Sequence, residues 1–179
     1  MSTLSKNLIN NKLTRFCAFV GVTLAITTAA FPAPASASMA QEILNAHNKY
    51  RSEVGVPPLR WSNQLAAQAE QWAKHLSRNK AFKHSQTSGQ GENLWMGTSH
   101  QFSFTQMVDS WGSEKKYFKY GAFPNVSSTG NWADVGHYTQ IVWKNTTQVG
   151  CAGVDGSDGK YRLVCRYVTP GNFRGQKPF

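Results

Sequence analysis

Large or apolar residues recur at the spacing of one helix face over residues 39–54. The positions on this face are Ile43, Ala46, His47, Tyr50 and Val54. Residues 55–58 end the predicted helix, because glycine and proline interrupt helical backbone. We interpret His47 as a core histidine, since it lies on the side that the pattern buries.

Two later segments also carry a single apolar helix face. Ser62 is the expected N-cap of the second helix, whose apolar positions are Leu65, Ala66, Ala69, Trp72, Ala73 and Leu76. A third helix begins near Ser103, where Ser103 and Gln106 fit a capping box. Its buried positions are Phe104, Met107, Val108 and Trp111. Glu114 falls on the same side, where a carboxylate is costly unless another group pairs with it.

Residues 136–145 show the composition of a strand, with β-branched and aromatic residues between polar ends. Side chains alternate along a strand, so we expect His137, Thr139, Ile141 and Trp143 to share one face. An imidazole on such a face is either a satisfied core residue or part of a site.

The last third of the chain predicts a hairpin. Residues 149–155 and 161–168 have strand character, and the glycine-containing segment 156–160 is the expected turn. Pairing Asp155 with Tyr161 places Cys151 directly opposite Cys165, at a separation that a disulfide spans. In an oxidising compartment one disulfide is the simplest interpretation. A metal site is the weaker alternative, since two thiolates are half of a tetrahedral set.

The first 37 residues have the pattern of a secretory signal peptide. Lys6, Lys12 and Arg15 precede the uncharged run 16–31, and Ala35-Ser36-Ala37 fits a cleavage site. A membrane anchor is the alternative, although the run is short for a bilayer span. Cleavage would remove Cys17 and leave a single domain of residues 38–179, either secreted or, in a Gram-negative source, periplasmic.

Without the signal peptide, sixteen basic residues face nine acidic ones, a formal net charge of +7. Such a charge suits an anionic neighbourhood, for example an acidic membrane surface or a cell-wall polymer. The basic residues are scattered and form no nucleic-acid-binding motif, so we do not expect nucleic acid as a partner.

Residues 117–132 lack clear periodicity but contain five aromatic residues: Tyr117, Phe118, Tyr120, Phe123 and Trp132. Long irregular segments in compact domains are commonly functional or disordered, and the aromatic content argues against disorder. Two interpretations remain open: an aromatic cap over the sheet, or one wall of an apolar ligand groove.

Several motifs together resemble the CAP superfamily of cysteine-rich secretory proteins, antigen 5 and pathogenesis-related proteins, and most closely its plant pathogenesis-related type. They are His47 to Arg51, Gly91 to Leu94, Trp111 to Glu114, Gly136 to Trp143 and Cys165 to Asn172. The resemblance implies an α+β fold, a three-layer α-β-α sandwich with a central mixed or antiparallel sheet. Plant members usually carry three disulfides, whereas this chain retains cysteines for one.

In this family two histidines and two acids face a central cleft, and the matching residues here are His84, Glu92, Glu114 and His137. Two imidazoles and two carboxylates can hold a divalent metal, and zinc suits the nitrogen ligands. Alternatively, the four groups form a hydrogen-bonded network that ties the loops to the sheet.

The function implied by the resemblance is a secreted binding protein for sterols or other lipids, in defence or in contact between microbe and host. We expect a monomer without catalytic residues, with residues 117–132 contacting the lipid. A metal-dependent hydrolase that uses the same cleft is the rival, since a bound metal can activate water and a glutamate can act as base. No His-Glu-x-x-His helix supports that rival.

Overall fold

A computed structural model describes the backbone of residues 35–179 and the side chains from Ser38 onward. The signal peptide predicted for residues 1–37, including Cys17, lies almost wholly outside the described residues and remains a prediction. Among residues 35–179, no helix combines the length and the apolar character needed to cross a bilayer.

Within residues 35–179, four helices, two 3-10 turns and four strands follow one another along the chain. In order they are α1 (Ala35–Glu53), β1 (Arg60–Trp61), α2 (Asn63–Arg78), β2 (Gly91–Thr98), α3 (Phe104–Gly112), 3-10 turns at Ser113–Tyr117 and Trp132–Asp134, α4 (Gly136–Ile141), β3 (Gln148–Asp155) and β4 (Lys160–Val168). The sheet has the order β1-β3-β4-β2. It is mixed, because β1 is parallel to β3 while the other pairs are antiparallel.

Side-chain alternation along the strands produces the expected three layers. Ala152, Val164 and Leu94 face α2 and pack with its buried alanines and leucine. The neighbouring positions Leu163 and Tyr167 face the opposite way, into a larger core that α1, α3 and α4 cover. The α-β-α sandwich with a mixed central sheet is therefore confirmed.

Local signals placed the first three helices and the hairpin correctly. Ser62 accepts a hydrogen bond from the Leu65 amide as the N-cap of α2, and Ser103 and Gln106 form the predicted capping box of α3. The hairpin pairs Asp155 with Tyr161 as expected. Cys151 therefore lies opposite Cys165, with a Cα–Cα distance of 4.1 Å, and the two cysteines form a disulfide.

The prediction of a strand over residues 136–145 is wrong, because this segment begins with the short helix α4. The amides of His137 and Tyr138 donate to the Glu114 carboxylate at 3.0 and 3.1 Å, which satisfies donors at the first turn of α4. Tyr138, Ile141 and Val142 then enter the main core at helical spacing. These contacts between distant residues outweigh the strand propensity of the β-branched and aromatic side chains.

Arg51 is a buried cation that joins α1 to the end of α4. Its guanidinium donates to four backbone carbonyls at 2.7–3.0 Å, those of Pro57, Ile141, Trp143 and Thr146. Only 1% of this residue is exposed, and burial lowers its pKa to about 10. The four acceptors compensate for the lost hydration, so Arg51 positions α4 and the chain that follows it.

Candidate functional site

His84 and Glu92 form the first half of the predicted site. His84 Nδ1 donates to Glu92 Oε1 at 2.8 Å, and the Ser85 amide donates to the same oxygen at 3.0 Å. Glu92 stands at the start of β2 with only 9% of its side chain exposed, whereas His84 is 62% exposed. Burial opposes ionisation of Glu92, but the hydrogen bonds from His84 and Ser85 and the positive charge of Arg166 together lower its pKa.

His137 and Glu114 form the second half, with a shorter contact. His137 Nδ1 donates to Glu114 Oε1 at 2.6 Å, while the other carboxylate oxygen accepts the two amides at the start of α4. Trp111 stacks on the imidazole at a ring-centroid distance of 6.0 Å. Glu114 lies in the 3-10 turn that directly follows α3, and three hydrogen bonds compensate its carboxylate there.

The edge strand β2 separates the two pairs. Glu92 lies beside Arg166, opposite it in the β2–β4 register, and their side chains approach to 3.5 Å. The next residue, Asn93, points to the other face and donates to the His137 carbonyl at 3.2 Å. Within residues 38–179, no three His, Cys, Asp or Glu side chains come together as ligands for one metal ion. The structure thus places the four residues in two separate His–Glu pairs.

The chemistry of each pair nevertheless fits a histidine that is prepared to bind a metal. A carboxylate only accepts hydrogen bonds, so Nδ1 of each imidazole carries its hydrogen and Nε2 keeps the lone pair. Metal-ligating histidines in proteins are commonly oriented by a carboxylate at the second ring nitrogen in this way. The same contacts equally satisfy a purely structural network, which remains the alternative.

Comparison with known proteins identifies the family. A model of the cysteine-rich secretory protein family, named CAP, matches residues 44–167. Pathogenesis-related protein 1A of Nicotiana tabacum is 41% identical over 140 residues, which are 78% of this chain and 80% of the relative. This chain belongs to the CAP family. Pathogenesis-related protein 1 of Arabidopsis thaliana is 37% identical over 139 residues, 78% of this chain and 81% of that relative.

Solved structures agree with the CAP assignment. The structure of BmVAL-1 superposes with a TM-score of 0.67 at 26% identity, over 79% of this chain and 81% of that one. A crystal structure of NaASP2 with Zn²⁺ superposes with a TM-score of 0.68 at 25% identity, over 84% of this chain and 90% of that one.

The aromatic segment of this CAP protein divides into buried and exposed members. Phe123 is buried in a small cluster, and Phe118 packs against the same cluster. Tyr117, Tyr120 and Trp132 keep 41%, 54% and 45% of their surface exposed. The two phenylalanines thus stabilise a cap, while the other three rings are accessible to a ligand.

An apolar groove that the sequence did not predict lies between α1 and α2, over β3. Its cavity volume is about 690 Å³. Much of the lining is apolar and comes from Met39, Leu44, Trp61, Ala66, Ala67, Cys151 and Ala152, with polar groups such as Gln41, Asn63 and Glu70 among the remainder. The only signal in the sequence was the run of small residues on α2, whose short side chains leave space beside the sheet.

The sequence analysis did not predict a role for Arg166. The only indication in the sequence is that this charged residue occurs among the apolar residues of β4. The residue is 4% exposed, and its guanidinium donates to Gln90 Oε1 at 3.1 Å and to Ser85 Oγ at 2.9 Å. Through Ser85 and the nearby Glu92 carboxylate, Arg166 ties the loop that carries His84 to the sheet. The first His–Glu pair is therefore held by a buried cation.

Proposed function

We propose that this protein is a secreted, defence-related CAP protein that binds a sterol or another lipid. Family membership and the similarity to plant proteins named pathogenesis-related protein 1 support a secreted protein of the defence type. They also favour a binding protein over an enzyme. The apolar groove between α1 and α2 is the observation that carries lipid binding.

The size and lining of the groove suit the apolar body of a lipid. Ligand sites in proteins commonly have volumes of about 300–1000 Å³ and largely apolar walls with a few polar groups. The groove, at about 690 Å³, has such walls, and Gln41, Asn63 and Glu70 line it as well. A hydroxyl or another uncharged polar head suits these groups, because Gln41 and Asn63 offer neutral hydrogen-bonding partners and the Glu70 carboxylate already pairs with Lys74 at 2.6 Å.

A blocking substitution tests this proposal. Ala67 is an exposed groove residue on α2, so Ala67→Phe fills the groove without disturbing the core. We expect this variant to bind a fluorescent sterol at least about tenfold more weakly than wild type, because the phenylalanine ring occupies the volume of the ligand. Gln71→Phe, one turn further along α2 and outside the groove lining, is the matched control. Equal affinities of all three proteins would refute the groove as the lipid site.

A metal site is the second proposed property, and the two His–Glu pairs favour it. We propose that His84 and His137 each present Nε2 to zinc while Glu92 and Glu114 orient the rings. The presence of Zn²⁺ in the NaASP2 crystal structure is consistent with this choice of metal. Zinc would supply a positive charge, and His84 and His137 would hold it while Glu92 and Glu114 keep the imidazole rings in place.

Isothermal titration with zinc separates metal binding from a structural network. We expect His137→Ala to lose most of the zinc affinity, whereas His75→Ala, which removes an exposed histidine stacked on Trp72, retains it. Equal zinc binding by wild type and His137→Ala would remove His137 from the proposed site.

Hydrolysis remains the rival to this non-enzymatic role, and Glu114 weighs against it. Both oxygens of that carboxylate already accept hydrogen bonds from the beginning of α4 and from His137. A glutamate held in this way positions a helix and an imidazole, whereas a general base needs access to the proton that it removes. Retention of zinc together with loss of turnover in Glu92→Gln would instead support the hydrolase.

A further inference from the structure

The exposed end of the aromatic segment lies against the C-terminal residues and forms one continuous surface. The Phe123 amide donates to the Gln176 carbonyl and the Gly175 amide donates to the Phe123 carbonyl, both at 2.8 Å. The ring of Phe179 lies 5.5 Å from that of Tyr120. We define the basic aromatic face as the residues Lys116, Tyr117, Lys119, Tyr120, Lys177 and Phe179.

Lysines and exposed tyrosines lie side by side on this face. The Lys116 ammonium lies 4.9 Å from the centre of the Tyr117 ring, and the Lys177 ammonium lies 4.8 Å from that of Tyr120. Both tyrosines are more than 40% exposed. Each ring therefore presents apolar surface and a hydroxyl to the outside next to a positive charge.

None of the three lysines of this face forms a salt bridge within the described part of the chain. Lys115, beside the face, pairs with Glu53 at 2.9 Å, and Glu114 is engaged with His137. Within residues 38–179, no carboxylate lies within 4.0 Å of the ammonium groups of Lys116, Lys119 and Lys177. The charge on this face is thus available to an external anion.

The surface is also held in a fixed arrangement. The Lys119 amide donates to the Val126 carbonyl at 2.7 Å, and the Lys144 amide donates to the Pro178 carbonyl at 2.6 Å. Phe118 and Phe179 pack together with ring centroids 5.6 Å apart. The backbone that carries the three lysines and two tyrosines consequently needs little ordering when the face meets a partner.

We propose that the basic aromatic face docks this protein on an anionic phospholipid bilayer. Lysines are attracted to acidic headgroups, and tyrosine rings are favoured at the depth of the headgroups because they have an apolar body and a polar tip. A polyanionic polysaccharide would also pair with the lysines, but a sugar ring stacks on the open face of an aromatic ring, and one face of each tyrosine here already carries a lysine ammonium. The combination therefore favours a membrane surface over a wall polymer. This surface is distinct from the groove between α1 and α2.

Vesicle co-sedimentation of the exported protein, recovered from the medium of expressing cells, tests the proposal. We expect binding to vesicles of phosphatidylcholine with phosphatidylserine, weak binding to phosphatidylcholine alone, and loss of binding at high salt. Each lysine near an anionic surface changes the affinity about fivefold, so replacing Lys116, Lys119 and Lys177 with serine should weaken binding on the order of 100-fold. All three side chains are exposed, and unchanged thermal unfolding will show that the variant folds.

The matched control replaces Lys74, Arg78 and Lys160 with serine, which removes the same charge from α2 and β4. This control should lose much less affinity than the triple lysine variant, and an equal loss would refute a localised face. A double variant, Tyr117→Ser with Tyr120→Ser, should also bind phosphatidylserine vesicles more weakly. Unchanged vesicle binding by that variant, or binding to polygalacturonate without binding to vesicles, would overturn the bilayer as the partner.

The proposal for the groove and the proposal for the basic aromatic face can be refuted independently. If Ala67→Phe loses uptake of monomeric lipid but retains vesicle binding, both proposals stand. Vesicle binding that is lost in Ala67→Phe and retained without the three lysines would refute docking through this face, because the groove would then make the contact.

Discussion

Acidification should destabilise this protein through His47, the buried histidine of α1. The residue is completely buried, its Nδ1 donates to the Ile43 carbonyl at 2.8 Å, and its Nε2 accepts from the Tyr167 hydroxyl at 2.8 Å. Burial lowers the pKa of His47 to about 4, the hydrogen bond to Ile43 partly opposes this change, and the positive charge of Arg51 adds to it. The folded protein therefore holds the imidazole neutral.

The sign and the size of the effect follow from the two pKa values of His47. In the unfolded chain the His47 imidazole takes up a proton near pH 6.5, whereas in the folded protein it does so only near pH 4. Stability from the neutral imidazole is thus complete above pH 6.5 and declines as the pH falls from 6.5 to 4. With about 1.4 kcal/mol for each pH unit between these values, the loss is about 3 kcal/mol.

Urea unfolding at pH 7 and pH 4 measures this loss. Carboxylates such as Glu92 also lose favourable contacts in acid, so the quantity to compare is the change in unfolding free energy between the two pH values in wild type and in His47→Gln. The variant should lose about 3 kcal/mol less than wild type, because glutamine does not titrate. His75→Gln, at an exposed site, should behave like wild type. An equal pH dependence of wild type and His47→Gln would refute the reasoning.

Three further predictions concern stability and are measured by urea unfolding. Arg51→Leu leaves four carbonyls without their donor and should cost at least about 3 kcal/mol, while Arg60→Leu on the exposed surface should change stability by less than about 0.5 kcal/mol. Glu114→Ala removes three hydrogen bonds at the start of α4 and should cost about 2–4 kcal/mol; a change below about 0.5 kcal/mol would contradict its positioning role. Replacing both Cys151 and Cys165 with alanine opens a loop with a sequence separation of 14 and should cost about 3 kcal/mol, and two free thiols in the exported protein would contradict the bridge.

Features that depend on neighbours along the chain were predictable from the sequence. The capping box at Ser103 and the N-cap at Ser62 involve residues three positions apart, so a short motif contains the whole interaction. The Cys151–Cys165 bridge follows from the hairpin register, because a short turn determines which residues face each other. Apolar spacing likewise placed His47 in the core, since one helix face is buried as a unit.

Resemblance to the CAP family indicated site residues that lie far apart along the chain, which periodicity cannot identify. His84 and Glu92 are eight residues apart, Glu114 and His137 are 23 apart, and only the fold brings each pair within hydrogen-bond distance. The family motifs pointed to these four residues, and the awkward position of Glu114 on an apolar helix face pointed to one of them independently. That they lie as two pairs on either side of β2 is a property of the tertiary structure.

Tertiary structure alone decided the conformation of residues 136–145, the environment of the buried arginines and the position of the groove. The β-branched and aromatic side chains of this segment favour a strand locally, but the Glu114 carboxylate and Arg51 bind backbone groups at its two ends and favour a helix. Each of these contacts joins residues more than 20 positions apart, so its free energy does not appear in any local pattern. The groove likewise exists only where α1, α2 and β3 meet, because the space between elements depends on how they pack and not on the residues of any one element.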